Sequence, residues 1–165
     1  MAKKFFKKII VAVNGRQSSV HAAMYGIMMA RTYGLELKFV YVVDTATIKY
    51  LSMNKLLITD EKVDFEERLK DDGQHYLNYA SMIAATKGVK SETELRCGGV
   101  FTQIINAAEE YEADLIILGG NEKESQSGGI RRAVVGNDKN DILNNAKCPV
   151  LVVQKDDIEA VFKIF

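Results

Sequence analysis

Two short apolar runs in the last third of the chain set the terms for the fold: Asp114-Leu115-Ile116-Ile117-Leu118 and Pro149-Val150-Leu151-Val152-Val153. Apolar runs of about four to eight residues bounded by turn residues are the texture of strands covered on both faces. Between them lies a long polar stretch, Gly119 to Gly136, then Gly136-Asn137 and a short pattern with Ile142, Leu143 and Ala146 on one side. The pattern predicts a strand, a loop, a short helix capped by Asn137 and a second strand.

The same texture recurs upstream. Phe6 to Val13 reads as a strand rich in β-branched residues and stopped by Asn14-Gly15. Ser18 or Ser19 is placed to cap the next helix, whose apolar positions Val20, Ala23, Met24, Ile27 and Ala30 run up to Gly34. Leu35 to Val43 gives a second strand. Asp44 to Ile58 contains Ile48, Leu51, Leu56 and Leu57 without a clean period, and reads as a long loop with one helical turn. Thr59 or Asp60 opens a long helix to about Lys87, striped by Leu69, Tyr76, Ala80, Ile83 and Ala84. Gly73 in its middle costs about 1 kcal/mol relative to alanine. Val89 to Arg96 alternates apolar or small residues with charged ones, the pattern of a half-exposed strand. Gly98-Gly99 then leads to a helix with Phe101, Ile104, Ile105, Ala108 and Tyr111 facing inward.

Strands alternating with helices predict βαβ units, hence an α/β fold: an open parallel five-stranded sheet with helices on both faces, Rossmann-like. The amphipathic third strand belongs at an edge. In the order 3-2-1-4-5, strand five is the other edge, and it is wholly apolar. Such an edge invites pairing with another chain. Val150, Leu151, Val152 and Val153 are therefore expected to be covered by the same strand of a second subunit, giving a homodimer. Residues 1–155 read as a single domain and 156–165 as a C-terminal tail. The tail's Ile158, Val161, Phe162, Ile164 and Phe165 either extend that contact or fold over the chain's own core.

Composition narrows the functional classes. The chain has 165 residues, 22 Lys plus Arg against 22 Asp plus Glu, and so no electrostatic footprint for a nucleic acid. The basic start, Lys3, Lys4, Lys7 and Lys8, precedes an apolar run too short for a signal peptide. No run approaches the roughly 20 apolar residues that span a bilayer. A cytoplasmic location is expected. Cys97 and Cys148 are isolated and read as buried free thiols, with no metal site. His21 and His75 have no nucleophile or ligand at readable spacing. Met24, Met28 and Met29 follow one helical face and read as packing. No GxGxxG follows strand one and no GxxxxGK[ST] occurs, which argues against dinucleotide oxidoreductases and P-loop NTPases. Asn14-Gly15-Arg16-Gln17-Ser18-Ser19 also lacks the His-x-Gly-His and Ser-Gly-Gly-x-Asp-Ser signatures of α/β enzymes that adenylate or amidate their substrates.

In an open sheet of this order a ligand binds beyond the carboxyl ends of the strands where the winding reverses, between strands one and four. Asn14 to Ser18 and Gly119 to Gly136 meet there, and backbone amides of a glycine loop and a helix start hold phosphate well.

The pieces IIVAVNG, FVYVVD, IINAAEEYEADLIILG and GNDKNDILNNAKCPVLVV, in this order and spacing, resemble a universal stress protein over nearly the whole chain. The resemblance implies the adenine nucleotide alpha hydrolase-like version of the Rossmann-like sheet, a dimer through strand five, a cytoplasmic role in stress adaptation and, in one branch of the family, ATP binding. It implies nucleotide-binding roles for Asn14, Val42, Gly119, Gly120, Gly129, Arg131, Gly136 and Asn137, with Mg2+ accompanying a bound nucleotide. That branch carries Gly, two residues, Gly, nine residues, Gly, then Ser or Thr, and an Asp ending strand one. Here Asn14 replaces the Asp and Asn137 the Ser or Thr, Gln126 stands ten before Gly136, and Asp138 and Asp141 open the helix. Acids in that turn suit the helix dipole but compete with phosphate for its amides. Arg131 and Arg132 could offset phosphate charge. Two expectations follow: an adenine-nucleotide-binding module with no catalytic residues and at most slow ATP hydrolysis, or a protein-interaction module of the same fold with an unknown protein partner and no nucleotide.

Overall fold

A computed structural model of the chain describes residues 4–54, 59–120 and 138–165, with the backbone alone for 59–62. Strands β1 (Lys8–Val13), β2 (Glu36–Asp44), β3 (Ser91–Gly98), β4 (Leu115–Gly119) and β5 (Val150–Val153) form one parallel sheet in the order β3-β2-β1-β4-β5. Helices α1 (Gln17–Tyr33), α2 (Thr45–Met53), α3 (Thr59–Thr86), α4 (Val100–Tyr111), α5 (Asp138–Asn145) and α6 (Ile158–Ile164) accompany it.

The apolar runs are continuous because both faces of the sheet are covered. Ile9, Val11, Leu37, Phe39 and Ile117 pack with Ala23 and Ile27 of α1 and with Leu77 and Ala84 of α3. Their neighbours Ile10, Val40, Ile116 and Leu118 point the other way, against Ile104 and Ala108 of α4 and Ile142 of α5. Burying one such side chain stabilises the fold by about 1.5–3 kcal/mol, so alternation of faces alone fixes the register. Asp114 fastens β4 to β1 at the other end: its Oδ2 accepts the Lys7 and Lys8 N–H groups at 2.7 and 2.9 Å. Those two backbone bonds, Lys8's first, hold its carboxyl below the usual range.

Several details correct the sequence reading. Asp44 to Met53 is not loop: Asp44 caps α2, its Oδ1 accepting the Thr47 N–H at 3.0 Å and its Oδ2 the Thr47 hydroxyl at 2.6 Å. Ile48 alone of that helix is buried, so a cap and one anchor replace the missing period. Residues 55–58 of the expected loop lie outside the described residues. On α3 the inward stripe runs through Leu77 rather than Tyr76, which stays 37% exposed. Leu143 of α5 is exposed while Ile142 is buried. Cys148 is half-buried, and burial pushes its thiol up, whereas Cys97 is exposed. β3 begins at Ser91, two residues later than expected.

Gly73 has a reason the sequence did not reveal. A Cβ there would lie 2.5 Å from the Tyr41 ring and 2.8 Å from Leu95, so glycine lets α3 sit close on β2 and β3. The tail folds over its own core: α6 buries Ile158 and Phe162 in the cluster shared with α1. Arg31 donates to the Phe165 carbonyl at 3.1 Å and lies 5.1 Å from its ring.

Candidate functional site

The winding reverses between β1 and β4, which pair through Ile9↔Leu115, Ile10↔Ile116 and Val11↔Ile117. Beyond their carboxyl ends stand the turn after β1 and the glycine pair that ends β4. Asn14 shapes the first. Its Oδ1 accepts the Arg16 N–H at 3.0 Å, a side chain mimicking a backbone turn. Its own N–H donates to Ser19 Oγ at 3.2 Å, and that hydroxyl donates to the Arg16 carbonyl at 2.9 Å. Neither Ser18 nor Ser19 is therefore the N-cap of α1. Arg16 holds that position without a side-chain cap, and buried Ser19 ties the first turn back to the strand end.

Glycines let these pieces close up. Gly15 has φ +80°, and a Cβ on it would collide with the Tyr76 ring. Tyr76 in turn stacks on Tyr41, with ring centroids 6.2 Å apart and planes inclined 15°. A Cβ on Gly119 would stand 2.5 Å from the Ser18 carbonyl carbon, so the end of β4 presses on the first turn of α1. The Gly120 N–H donates to the Val153 carbonyl at 2.8 Å and carries the β4–β5 pairing one step past the strand.

The structure thus brings Asn14, Gly119 and Gly120 to one end of the β1–β4 crevice. Val42 lies further along β2, half-buried against the α4 side, opposite Arg96 of β3. Gly129, Arg131, Gly136 and Asn137 lie outside the described residues.

Asp138 has a second partner that sequence reasoning missed. Its carboxylate accepts the Phe101 N–H in the first turn of α4, whose N-cap, Gly99, has no side chain to do so. Burial, then the nearby Asp44 and Asp141 charges, push its carboxyl up to about 6, against the pull of the Phe101 bond. The signal in the sequence was the bare Gly98-Gly99 start of α4, which needs an acceptor from elsewhere. Among the described residues no group of three or more His, Cys, Asp or Glu could hold a metal ion. No described helix is long and apolar enough to cross a membrane.

A family model described as the universal stress protein family matches residues 5–154. The chain belongs to the universal stress protein family. A universal stress protein of Methanocaldococcus jannaschii is 33% identical over 153 residues, covering 93% of this chain and 85% of the relative. The universal stress protein UspA from Lactobacillus plantarum superposes with a TM-score of 0.72 at 20% identity, covering 92% of this chain and 100% of that one. A universal stress protein from Archaeoglobus fulgidus, solved in complex with dAMP, gives a TM-score of 0.56 at 17% identity, over 92% of this chain and 100% of that one. At those identities the two structures speak to the shared Rossmann-like fold. Helix α6 lies beyond the span matched by the universal stress protein model.

Proposed function

We propose that this universal stress protein is a cytoplasmic homodimeric module of stress adaptation that binds ATP or another adenine nucleotide and has no catalytic residues of its own. The observation that carries the reading is the winding reversal, where the turn shaped by Asn14 follows β1 and Gly119, at the end of β4, packs against Ser18. That is the place where open parallel sheets take nucleotides. Asn14 would face the base or ribose with its side-chain NH2 group, since its Oδ1 is taken by Arg16. Val42 would offer backbone to the base, while Gly119, Gly120, Gly129, Arg131, Gly136 and Asn137 would line the phosphates. Asp44 is held by Thr47 and Asp138 by Phe101. Any Mg2+ would therefore be held chiefly by phosphate oxygens and water. The dAMP bound by the Archaeoglobus fulgidus relative supports the same chemical class of ligand.

One observation favours a second reading, a protein-interaction module of the same fold without nucleotide. Asp138 occupies an amide of α4 with Asp44 beside it, which puts negative charge at the ligand end of the sheet. Calorimetric titration with ATP, with and without Mg2+, separates the two readings, alongside a denatured extract assayed for carried nucleotide. Micromolar binding that Gly136→Val abolishes and Asp138→Asn tightens supports the nucleotide reading. No heat at millimolar ATP and an empty extract overturn it.

A further inference from the structure

A cleft of about 600 Å³ opens between α1, α3 and α6, within the size range of small-ligand sites. Val20 and Met24 of α1, Tyr76 and Tyr79 of α3, and Glu159 of α6 line it. Two features separate it from ordinary surface. Tyr76 and Tyr79 are 37% and 42% exposed although they sit on the helix that seals the core, and the Tyr76 ring is held in place by its stack on Tyr41. Glu159 is fixed as well: Gln17 Nε2 donates to its Oε1, and His21 Nε2 lies 3.2 Å from the same oxygen. Rings whose faces attract cations and one positioned carboxylate therefore share a cleft that, among the described residues, no Lys or Arg lines, although His75 does.

We propose that this cleft binds a small aryl-alkyl ammonium compound, its flat body against Tyr76 and Tyr79 and its ammonium group on Glu159. The charge complementarity argues against a nucleotide here, because phosphates would meet Glu159. The site also differs from the family's shared span, because α6, which supplies the carboxylate, lies outside residues 5–154. The inference does not rest on the nucleotide reading, although the cleft reaches Gly15, next to Asn14.

The test is an amide NMR titration of the full chain with 2-phenylethylammonium, using the neutral 2-phenylethanol as the matched control. The expected result is saturable shifts at Gly15, Val20, Tyr76 and Tyr79 with the amine, and about fivefold weaker binding of the alcohol. Glu159→Gln should erase that preference and leave the alcohol's affinity unchanged. Tyr79→Ala should weaken both compounds. No saturable shifts at millimolar amine, shifts centred elsewhere, or a preference that survives Glu159→Gln would overturn the proposal. Should Glu159→Gln release α6, seen at the Ile158 and Phe162 amides, Tyr79→Ala decides: undiminished binding of the amine then overturns it.

Discussion

The sheet ends in two edge strands built on opposite terms. β3 carries Glu92, Glu94 and Arg96, and the last two are tied into the fold. Lys38 of β2 meets Glu94 at 2.5 Å, and Arg96 bridges Glu94, Gln103 and Glu110. The last two belong to α4, so the charged edge also holds a helix over itself. β5 carries Val150, Leu151, Val152 and Val153, with no charge at all. Leu151 and Val153 pack into the core on one face and Val150 into the core on the other, whereas Val152 is part of neither cluster. Charge at an exposed strand edge discourages pairing with another chain, and its absence permits it. The comparison teaches that one edge of the sheet carries charge bonded to a helix of the same chain, whereas the other carries none to deter the second subunit proposed above.

The largest effect expected from breaking this contrast is at Val152. Val152→Lys places a charge on the open edge without removing a core side chain, and should raise the dimer dissociation constant by about a hundredfold or more. Sedimentation velocity would read it as a monomer of near-normal melting temperature. An unchanged dimer would remove β5 from the interface. Next in size is Gly120→Val. Its Cβ would stand 2.6 Å from the Val153 carbonyl, at the point where Gly120 extends the β4–β5 pairing. A cost of roughly 2–3 kcal/mol is expected in urea unfolding, with faster hydrogen exchange along β5 than along β3.

Arg96→Ala tests the opposite edge. It leaves Glu94 with Lys38 alone and frees Gln103 and Glu110, and should cost about 1–2 kcal/mol in the same assay. Acid gives the smallest and most local effect. Partial burial raises the Glu94 pKa, but the Lys38 and Arg96 bonds outweigh it and hold the group below its ordinary 4.5. A lowered folded pKa means the stabilisation is present above that ordinary value and is lost as pH falls through the folded one. The loss should stay under about 1 kcal/mol after solvent screening, and it should loosen β3 amides before β5 amides. Equal loosening of both edges would deny the ion network its role.

Much of this architecture was legible in the chain. Covered strands announce themselves by unbroken apolar runs, and the alternating charge of the third strand marked it as an edge. What escaped has identifiable causes. α2 rests on the Asp44 cap and a single buried Ile48, too little for a helical period to register. Leu77 takes the inward place expected of Tyr76 because Tyr76 stacks on Tyr41 and covers Gly15. Of the candidate site, Asn14 and the glycine pair at the end of β4 could be picked out as turn residues beside the winding reversal. The bond from Phe101 to Asp138 joins residues distant in sequence: the bare Gly98-Gly99 start of α4 signals the need for an acceptor, but no local pattern names Asp138 as that acceptor.

The sequence by itself determined the strands, most helices and the open parallel sheet, because periodicity and turn chemistry are local, and the order and spacing of its matching pieces marked the universal stress protein family. The tertiary structure decided what depends on approach between distant segments. Gly73 lets α3 close on the sheet, Asp138 serves α4 rather than only its own helix, and α6 folds back to set Glu159 in the same cleft as Tyr76 and Tyr79. Those contacts exist only once the strands are in place, since each joins side chains that the chain order keeps far apart.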